Sequence, residues 1–373
     1  MVHRSWAEVS LSKLKENIQS LHQFCKKDIF AVVKADAYGH GAVPVSKYLE
    51  QFDEIPYLCV ATAEEGQELR QNGISKNILV LGGILKEEIS IFNENHLVPV
   101  ISDFYQLEQI LNLKQKTVHL KFDTGMHRLG FYEKDIPQLI SFIKKNDIQV
   151  EGIMSHFPSA DINPELTKRQ IKELKHIIDI FEENKIYPTY KHIQNSAGLM
   201  YECDYCNAAR IGIAIYGEKP VTDFPVDIKP VMSVKSKIIS IKEIKKGDTV
   251  SYCETFKAKN DMKIATISFG YADGLPRCIS NQGKVIIGNN FYNIIGNVTM
   301  DMTIIDISNS NNINIGDEVI IVGESENLHI HFSDIAKICK TISYEIMCGI
   351  SKRVFRKILL EEKDNAVINI SGR

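Results

Sequence analysis

Residues 30–41 read Phe30-Ala31-Val32-Val33-Lys34-Ala35-Asp36-Ala37-Tyr38-Gly39-His40-Gly41 and place one lysine at the end of an apolar run. Such a run is typical of a strand buried on both faces in a parallel sheet, and the glycines that follow predict a turn. Lys34 therefore lies at the carboxyl end of a predicted parallel strand, where α/β barrels build their active sites. Partial burial disfavours the charged form of an ammonium group, so Lys34 is a candidate nucleophile toward a carbonyl cofactor. On position alone, the alternative is a strand-end lysine that reaches solvent.

Short apolar runs alternate with longer amphipathic stretches from about residue 10 to residue 235. This alternation predicts repeated βα units, and eight strands suit a parallel (β/α)8 barrel of the TIM type. Predicted helices at 10–24 and 164–183 carry apolar residues on one face, which indicates packing against the barrel. The candidate strands are 29–33, 57–61, 78–81, 98–101, 117–122, 150–155, 191–194 and 209–213.

The pattern changes after about Val231 to short β-rich segments separated by glycine turns. We therefore assign residues 10–235 to the barrel and residues 236–373 to a mainly-β C-terminal domain. The fold class predicted for the chain is α/β, an N-terminal barrel followed by this β domain. Its candidate strands are 237–244, 262–269, 284–287, 291–295, 302–307 and 318–322.

The composition is that of an ordinary globular protein. Of 373 residues, 44% are hydrophobic and 24% are charged, which is enough for two domains with filled cores. The formal net charge of −3 and the lack of a basic block argue against a nucleic-acid binder. The sequence shows no apolar signal region and no stretch near the roughly 18 apolar residues of a membrane span. We expect a cytoplasmic protein that binds neither nucleic acid nor membrane.

Eight cysteines are scattered through a chain too large to need disulfide bonds, so we expect reduced thiols. Cys203 and Cys206 have the spacing of a zinc or redox pair, but no second Cys/His pair accompanies them. We therefore predict no metal site.

The segment around Lys34 resembles the pyridoxal-phosphate lysine motif of the alanine racemase family. Further motifs follow in the family's order along nearly the whole chain, and an ordered set of this kind is not a chance match. The resemblance implies a pyridoxal-phosphate-dependent enzyme that interconverts L-alanine and D-alanine, and it implies that residues 1–9 add a strand to the β domain. The further motifs are KFDTGMHRLG at 121–130, NSAG at 195–198, ARIGIAIYG at 209–217, VSY at 250–252, GYADG at 270–274 and MD at 300–301.

The resemblance implies one base on each face of the substrate. Lys34 matches the lysine that holds the cofactor and acts on one face, and Tyr252 matches the base on the other face. Because the family's tyrosine comes from the second subunit, the resemblance implies a homodimer with shared active sites. Tyrosine is a poor base at neutral pH unless positive neighbours stabilise its phenolate. His156 matches a histidine that the family places between this tyrosine and Arg210.

Arg210 matches the family's partner of the cofactor's pyridine nitrogen. A guanidinium is effectively always protonated, so it cannot accept a proton from the ring. An aspartate partner could accept one. An unprotonated ring disfavours transamination and favours proton return at Cα. The positions that the resemblance implies for phosphate binding are Tyr38, Ser196, Gly212, Ile213 and Tyr344, although a buried hydroxyl satisfied within the protein is the alternative for both tyrosines.

The resemblance assigns the substrate carboxylate to Arg128 and to the backbone amide of Met300 of the partner subunit. A guanidinium fork suits a carboxylate geometrically. Lys121 matches a lysine that many relatives carry in carbamylated form, whose negative charge orients this arginine. Tyr271 and Asp301 belong to the same region by resemblance.

Five positions near the predicted pocket depart from the commoner family pattern. They surround the substrate-binding groups, so alanine and serine are both candidate substrates, with alanine the first choice. The physiological role implied is the supply of D-alanine for peptidoglycan, or that of a second racemase for another amino acid. The changed positions are His127 and Cys253 in place of glycine, Asn297 in place of arginine, Thr299 in place of cysteine, and Ile211 in place of proline, the last as in the serine racemases of vancomycin resistance.

Two other functions use a similar barrel and the same cofactor. A pyridoxal-phosphate decarboxylase is disfavoured because those enzymes pair the ring nitrogen with an acid, whereas Arg210 stands at that position here. A non-catalytic pyridoxal-phosphate-binding protein is disfavoured because such binders lack the second domain, which carries Tyr252 and Met300.

Overall fold

A computed structural model describes residues 3–360 of the chain. The first strand, β1 (Ser5–Ser10), precedes the barrel in sequence and lies in a different sheet. The next eight strands form one parallel sheet in which β2 pairs with both β3 and β9, and the others follow in chain order to β8. These strands are β2 (Asp28–Val32), β3 (Tyr57–Val60), β4 (Asn77–Val80), β5 (Leu97–Ile101), β6 (Thr117–Lys121), β7 (Gln149–Met154), β8 (Tyr190–His192) and β9 (Ala208–Ile211).

Backbone hydrogen bonds between the segments of β8 and β9 nearly close this sheet into a barrel. The Arg210 N–H donates to the Gln194 carbonyl at 2.9 Å, and the Asn207 N–H donates to the Lys191 carbonyl at 3.1 Å. The predicted fold class, a parallel barrel followed by a mainly-β domain, is thereby confirmed. Each predicted barrel strand agrees with an observed strand to within two residues at either end.

Helices surround the barrel on its outer side. Helix α8 begins and ends at the predicted residues, since the Asn163 side chain accepts a hydrogen bond from the Leu166 N–H and Pro164 takes the first helical position. The helices of this layer are α1 (Leu11–Cys25), α3 (Ala42–Leu49), α4 (Ala63–Gln71), α5 (Ile89–Asn95), α6 (Phe104–Gln109), α7 (Ile136–Asn146) and α8 (Pro164–Glu183), whereas α2 (Lys34–Tyr38) is a short left-handed turn at the end of β2.

Rings fill the interior of the barrel. Phe30, Tyr57, His119, Tyr190 and His192 project inward from four strands, with ring centroids 4.8–6.1 Å apart. The interior is therefore a packed core, and the open space of the barrel lies at the carboxyl ends of the strands.

A second sheet forms most of the C-terminal domain. Its strand order is β15-β14-β17-β10-β1-β19, with β13 pairing β10 and β16, and β18 pairing β17. Strand β1 runs antiparallel to β10 and parallel to β19, so the N-terminal segment lies in this sheet. Residues 1–2 and 361–373, which the sequence analysis assigned to this domain, lie outside the described residues. The elements are β10 (Met232–Ile244), β11 (Thr249–Val250), β12 (Phe256–Lys257), β13 (Met262–Ile267), β14 (Lys284–Ile287), β15 (Asn290–Asn293), β16 (Thr303–Asp306), β17 (Glu318–Ser325), β18 (Leu328–Ile330), β19 (Phe355–Leu359), α9 (Phe332–Cys339) and α10 (Ser343–Gly349).

The C-terminal domain packs directly on the turn that follows Lys34. A Cβ atom on Gly39 would lie 2.4 Å from the carbonyl oxygen of Met347 in α10, so only glycine fits there. The Arg356 guanidinium donates to the Gly39 carbonyl at 2.9 Å and also to carbonyls of its own domain. The lysine turn is therefore held from the second domain as well as from the barrel.

One pair of cysteines departs from the expectation of reduced thiols. Cys278 and Cys339 form a disulfide, with their Cα atoms 5.4 Å apart, so the expectation was wrong for this pair. The two residues are 61 positions apart in sequence and meet because helix α9 packs on the 3-10 turn Arg277–Ile279. The other six cysteines are free thiols.

Over residues 3–360, none of the helices has both the length and the apolar character of a membrane span.

Candidate active site

The chain makes a left-handed turn immediately after Lys34. Residues 35–38 have φ values between 52° and 55°, a conformation that costs about 1–2 kcal/mol for each L-residue. The Ala35 N–H donates to the Glu65 carboxylate at 2.8 Å and so helps to hold the turn. Strain of this kind persists where the surrounding structure determines the conformation, which is common at functional sites. Here it places Lys34 and Tyr38 in one cavity.

A cavity of about 500 Å³ opens at the carboxyl ends of the barrel strands. Ten of the fourteen predicted site residues line it, from the ends of several strands and from helix α10. The structure therefore brings together residues that are up to 310 positions apart, from Lys34 to Tyr344. The ten residues are Lys34, Tyr38, Lys121, Arg128, His156, Ser196, Arg210, Gly212, Ile213 and Tyr344.

One end of the cavity is a group of hydroxyl and backbone N–H donors. A Cβ atom on Gly212 would lie 2.3 Å from the Tyr38 hydroxyl, so the close approach of these two residues requires glycine. Burial raises the pKa of Tyr38 well above its ordinary range and the pKa of Tyr344 to about 12, so both hydroxyls keep their protons at neutral pH. Ser196 also lines this end, and its Oγ accepts a hydrogen bond from the Ala214 N–H at 3.4 Å. These donors fit a bound phosphate group.

Arg210 is fully buried and fixed by hydrogen bonds through both of its terminal nitrogens. Nη1 donates to the His192 side chain and carbonyl, and Nη2 donates to the Ser155 carbonyl at 2.7 Å and to His156 Nδ1 at 3.1 Å. Burial lowers the pKa of Arg210 to about 10, which still leaves the guanidinium protonated at neutral pH. Its Nε–H makes no hydrogen bond within residues 3–360, so this donor is available to an acceptor in the cavity.

A line of side chains runs from Arg210 through the barrel interior and is hydrogen-bonded as far as His119. His192 Nε2 lies 2.9 Å from His119 Nδ1, and His119 Nε2 lies 3.8 Å from the Glu151 carboxylate, which also accepts a hydrogen bond from Tyr57. Since Arg210 can only donate, His192 Nδ1 accepts and the proton of His192 is on Nε2. That proton is directed at His119 Nδ1, which puts the His119 proton on Nε2, toward Glu151. The tautomers of both histidines therefore follow from the contact with Arg210.

The histidines beside Arg210 are neutral. Burial and the Arg210 charge hold the pKa of His192 and of His156 well below the ordinary range. Because Arg210 donates to His156 Nδ1, the proton of neutral His156 is on Nε2. His156 can therefore act as a hydrogen-bond donor within the cavity.

Lys121 is a buried amine among positive charges. Burial lowers its pKa to about 8, and the charges of Arg210 and Arg128 contribute in the same direction. Lys121 makes no hydrogen bond or ion pair within the described part of the chain, residues 3–360. Buried amines are normally paired with an anion, so this position favours a group that brings negative charge.

The loop that carries Arg128 is organised by the Asp123 carboxylate. One of its oxygens accepts hydrogen bonds from the backbone N–H groups of residues 125–127 at 2.9–3.0 Å, and these bonds help to lower the pKa of Asp123. His127 has a φ of 54°, a left-handed conformation that favours glycine over histidine. The result is an exposed Arg128 at the rim of the cavity.

The other four predicted residues lie outside this cavity, on neighbouring loops of the C-terminal domain. The Asn297 side chain donates to the Tyr252 carbonyl at 2.7 Å, and the Tyr271 N–H donates to the Thr299 carbonyl at 3.0 Å. Asp301 accepts a hydrogen bond from Arg353 at 2.8 Å. The residues of this group, which are all exposed, are Tyr252, Tyr271, Met300 and Asp301.

Several residues of the site were missed in the sequence. His192, His119, Glu151 and Tyr57 are the inner part of the line from Arg210, and each lies within a predicted strand, where it reads as core packing. Cys348 lines the cavity from α10, and no motif in the sequence around it indicates a site residue. A polar or charged residue inside an otherwise apolar barrel strand is the signal that identifies Glu151 and His119.

Comparison with known proteins gives matches over nearly the whole chain. The model of the alanine racemase N-terminal domain matches residues 9–220, and that of the alanine racemase C-terminal domain matches residues 231–358. An alanine racemase of Aquifex aeolicus is 40% identical over 95% of this chain and 99% of its own.

Solved structures agree with the sequence matches. An alanine racemase of Clostridium difficile, 35% identical, superposes with a TM-score of 0.90 over 96% of this chain and 97% of its own. An alanine racemase of Bartonella henselae, described with covalently bound pyridoxal phosphate, is 27% identical and has a TM-score of 0.86 over 96% of this chain and 100% of its own. The chain is an isomerase and belongs to the alanine racemase family.

Proposed function

We propose that this chain interconverts L-alanine and D-alanine with pyridoxal phosphate bound in the cavity, and that two copies of the chain complete each active site. The observation that carries the proposal is the division of the predicted residues into two sets. Lys34, Arg210 and the phosphate-binding donors share one cavity, whereas Tyr252 lies outside it with 72% of its surface exposed. A second copy is therefore needed to bring Tyr252 to Lys34.

The residues present fit pyridoxal phosphate. Tyr38, Ser196 and Tyr344, with the N–H groups of Gly212 and Ile213, would hold the phosphate, and Lys34 would hold the aldehyde end. Pyridoxal phosphate, when bound, delocalises the electron pair that proton removal leaves at Cα.

Arg210 would donate from Nε to the ring nitrogen. Both terminal nitrogens are already committed to His192, Ser155 and His156, so the guanidinium cannot rotate away. Arg210 has no acceptor atom and no proton that it loses readily, so it leaves the ring nitrogen unprotonated. An unprotonated ring nitrogen would limit the delocalisation of charge into the ring and favour return of the proton to Cα.

Two side chains would exchange protons with Cα from opposite faces. We propose Lys34 for one face and Tyr252 of the partner subunit for the other. The Nε2–H of neutral His156 supplies a donor that stabilises a phenolate, and the charge of Arg210 lies directly behind it. A tyrosine in that position becomes a more effective base at neutral pH.

The substrate carboxylate would be bound by Arg128 at the cavity rim and by the backbone N–H of Met300 of the partner subunit. Lys121 has a lowered pKa and no anionic partner in the described chain, so its neutral amine can add to CO2 and release a proton. The resulting carbamate would place a negative charge between Arg210 and Arg128 and orient Arg128. We propose that Tyr271 and Asp301 support the entrance from the partner's loops.

Serine is the second candidate substrate. His127 lies next to Arg128 with its side chain exposed, and Asn297 holds the loop of Tyr252, so two of the changed positions act on groups that contact the substrate. An apolar pocket discriminates poorly against an added hydroxyl. We propose alanine as the preferred substrate and D-alanine supply for peptidoglycan as the physiological role.

The proposal is tested by incubating the holoenzyme with L-alanine or L-serine in D2O and following both chirality and deuterium at Cα. Faster inversion of alanine, with deuterium in the product, is the expected result. Preference for serine would replace the proposed substrate. Exchange without inversion would contradict a second base, and no exchange with either amino acid would contradict the proposed reaction.

A further inference from the structure

A group of potential metal ligands lies on the C-terminal domain where strand β18 runs into helix α9. The rings of His329 and His331 stack with centroids 4.5 Å apart, and Asp334 lies in the first turn of the helix. One ligand atom of each residue lies within 4.8 Å of those of the other two. We propose that His329, His331 and Asp334 bind a divalent transition-metal ion such as Zn²⁺.

The local fold places these three side chains on one side of the chain. Side chains alternate along a strand, so His329 and His331 share a face while Ile330 between them packs into the core. Helix α9 begins at Phe332, and the Asp334 carboxylate turns back to accept a hydrogen bond from the His331 N–H at 2.9 Å. One carboxylate oxygen is thereby fixed, and the other, Oδ1, faces the Lys337 amine at 3.6 Å, which a bound metal ion would replace.

The state of His331 is a separate observation in favour of a bound ion. Its Nε2 atom is buried and has no hydrogen-bond partner within residues 3–360. The nearest anion is Glu324, whose Oε1 lies 3.5 Å from this nitrogen. A buried nitrogen without a partner is unfavourable, and a metal ion would satisfy it.

Glu324 is a further carboxylate beside the three proposed ligands. Strand β17 pairs with β18 so that Glu324 lies directly across from His329. Neighbouring ligand atoms of a tetrahedral zinc ion, with bonds of about 2.1 Å, lie roughly 3.4 Å apart, which agrees with the Glu324–His331 separation. His329 is exposed, so its side chain has room to change rotamer when an ion binds.

The ligand types select the class of metal. Two imidazoles with one or two carboxylates suit Zn²⁺, Ni²⁺ or Cu²⁺, whereas Mg²⁺ and Ca²⁺ prefer oxygen ligands alone. Positive charge nearby opposes the ion: Lys337 lies 3.6 Å from Asp334, Lys13 lies 3.9 Å from Glu324, and the helix N-terminus carries a partial positive charge. We therefore expect weaker binding than in a closed structural zinc site.

A metal ion here would tie the β17–β18 hairpin to helix α9. None of the three proposed ligands lines the cavity that contains Lys34. The ion would therefore stabilise the C-terminal domain rather than take part in the reaction. Its effect should appear in metal content and thermal stability.

The test is equilibrium dialysis of the holoenzyme against zinc chloride. All proteins carry Cys253→Ser and Cys348→Ser, because these exposed thiols also bind zinc. The expected result is one zinc ion per chain. His329→Ala and Asp334→Asn should each weaken binding at least about tenfold, since loss of even an outer-shell partner of a metal ligand has that effect.

The matched control is His176→Ala, which removes an exposed histidine that faces a single carboxylate, Glu133. It should leave zinc binding unchanged. Asp334→Asn keeps an acceptor for the His331 N–H, so a loss of zinc in this variant does not reflect loss of the helix cap. Zinc should also raise the Tm of the parent protein and leave that of His329→Ala unchanged.

Two results would overturn the proposal. The first is the absence of stoichiometric zinc binding by the parent protein. The second is binding that His329→Ala and Asp334→Asn leave intact, which would assign the zinc to other residues.

Discussion

The guanidinium Nη1 of Arg210 lies 2.6 Å from Nδ1 of His192. Because arginine can only donate, this contact fixes His192 as an acceptor at Nδ1 and as a donor at Nε2. His192 Nε2 in turn lies 2.9 Å from His119 Nδ1, and His119 Nε2 faces the Glu151 carboxylate at 3.8 Å. The barrel core thus determines both the orientation of Arg210 and the protonation of its neighbours.

Removing the His192 acceptor should loosen Arg210. His192→Leu leaves a buried donor without its partner, which costs about 1–3 kcal/mol of the free energy of unfolding. Pyridoxal-phosphate affinity should fall as well, since Arg210 is no longer held. Urea unfolding and a cofactor titration measure the two effects.

His192→Gln is the matched control, because its amide oxygen can accept from Arg210. It should retain more stability and more cofactor affinity than His192→Leu. Equal losses in the two variants would show that ring packing, rather than the hydrogen bond, is what His192 provides.

Stability should fall at acidic pH because of buried neutral histidines. His40 is fully buried, and burial lowers its pKa to about 3, whereas an unfolded chain protonates histidine below about pH 6.5. The unfolded state then binds more protons between these values, so stability is lost as the pH falls below about 6.5. His40 alone should remove about 2 kcal/mol between pH 7.5 and pH 5.

The measurement is the free energy of unfolding in urea from pH 5 to pH 7.5. His40→Gln lowers stability overall but should give a shallower dependence on pH, because one titrating group is gone. A slope identical to that of the wild type would refute the assignment to His40.

Adding one methyl group at the phosphate end should disrupt it. Gly212→Ala places a Cβ atom 2.3 Å from the Tyr38 hydroxyl, so the tyrosine must move. Overpacking of this kind costs about 1–3 kcal/mol of stability, and we expect at least about tenfold weaker cofactor binding. Fluorescence titration with pyridoxal phosphate measures the affinity.

Tyr38→Phe removes the hydroxyl alone and should weaken cofactor binding less. In the double variant, the loss of cofactor affinity should be smaller than the sum of the losses in the two single variants, because part of the clash is gone. Strict additivity would mean that Gly212 acts independently of Tyr38.

Asn297 should act through Tyr252. Its side-chain amide donates to the Tyr252 carbonyl, so Asn297→Ala frees the loop that carries the proposed base. We expect a fall in kcat of about tenfold with cofactor affinity unchanged, because Asn297 does not line the cavity. Steady-state racemisation assays and a cofactor titration distinguish the two quantities.

Asn297→Asp keeps the size of the side chain but cannot donate to the carbonyl, so it should resemble Asn297→Ala. Wild-type kcat in both variants would show that Asn297 does not position Tyr252 for catalysis.

The spacing and order of the apolar runs made the barrel predictable from the sequence. Apolar runs such as 29–33 and 117–122 are short and bounded by turn residues, and they correspond to β2 and β6 within one residue at each end. Ten predicted residues share the cavity because the carboxyl ends of parallel strands meet at one edge. The roles given to those residues came from resemblance and stay predictions.

Other features depend on tertiary contacts that leave no local pattern. Cys278 and Cys339 pair across 61 positions, and the spacing of neither residue indicates the bond. The left-handed turn at 35–38 contains no glycine until Gly39, so its conformation follows from surrounding hydrogen bonds rather than from propensity. The link from His192 to Glu151 joins separate strands and becomes visible only in the closed barrel.

A heterodimer of two inactive variants tests whether the subunits share their active sites. Lys34→Ala and Tyr252→Phe chains carry different affinity tags, so the mixed dimer can be purified and assayed for racemisation of alanine. In that dimer one site keeps both Lys34 and Tyr252 of the partner subunit, so about half of the wild-type activity should return. A dimer of wild-type and doubly substituted chains is the reciprocal control and should be inactive. An inactive mixed dimer together with a half-active control would show that Tyr252 acts in the active site of its own chain, which contradicts sharing between the subunits.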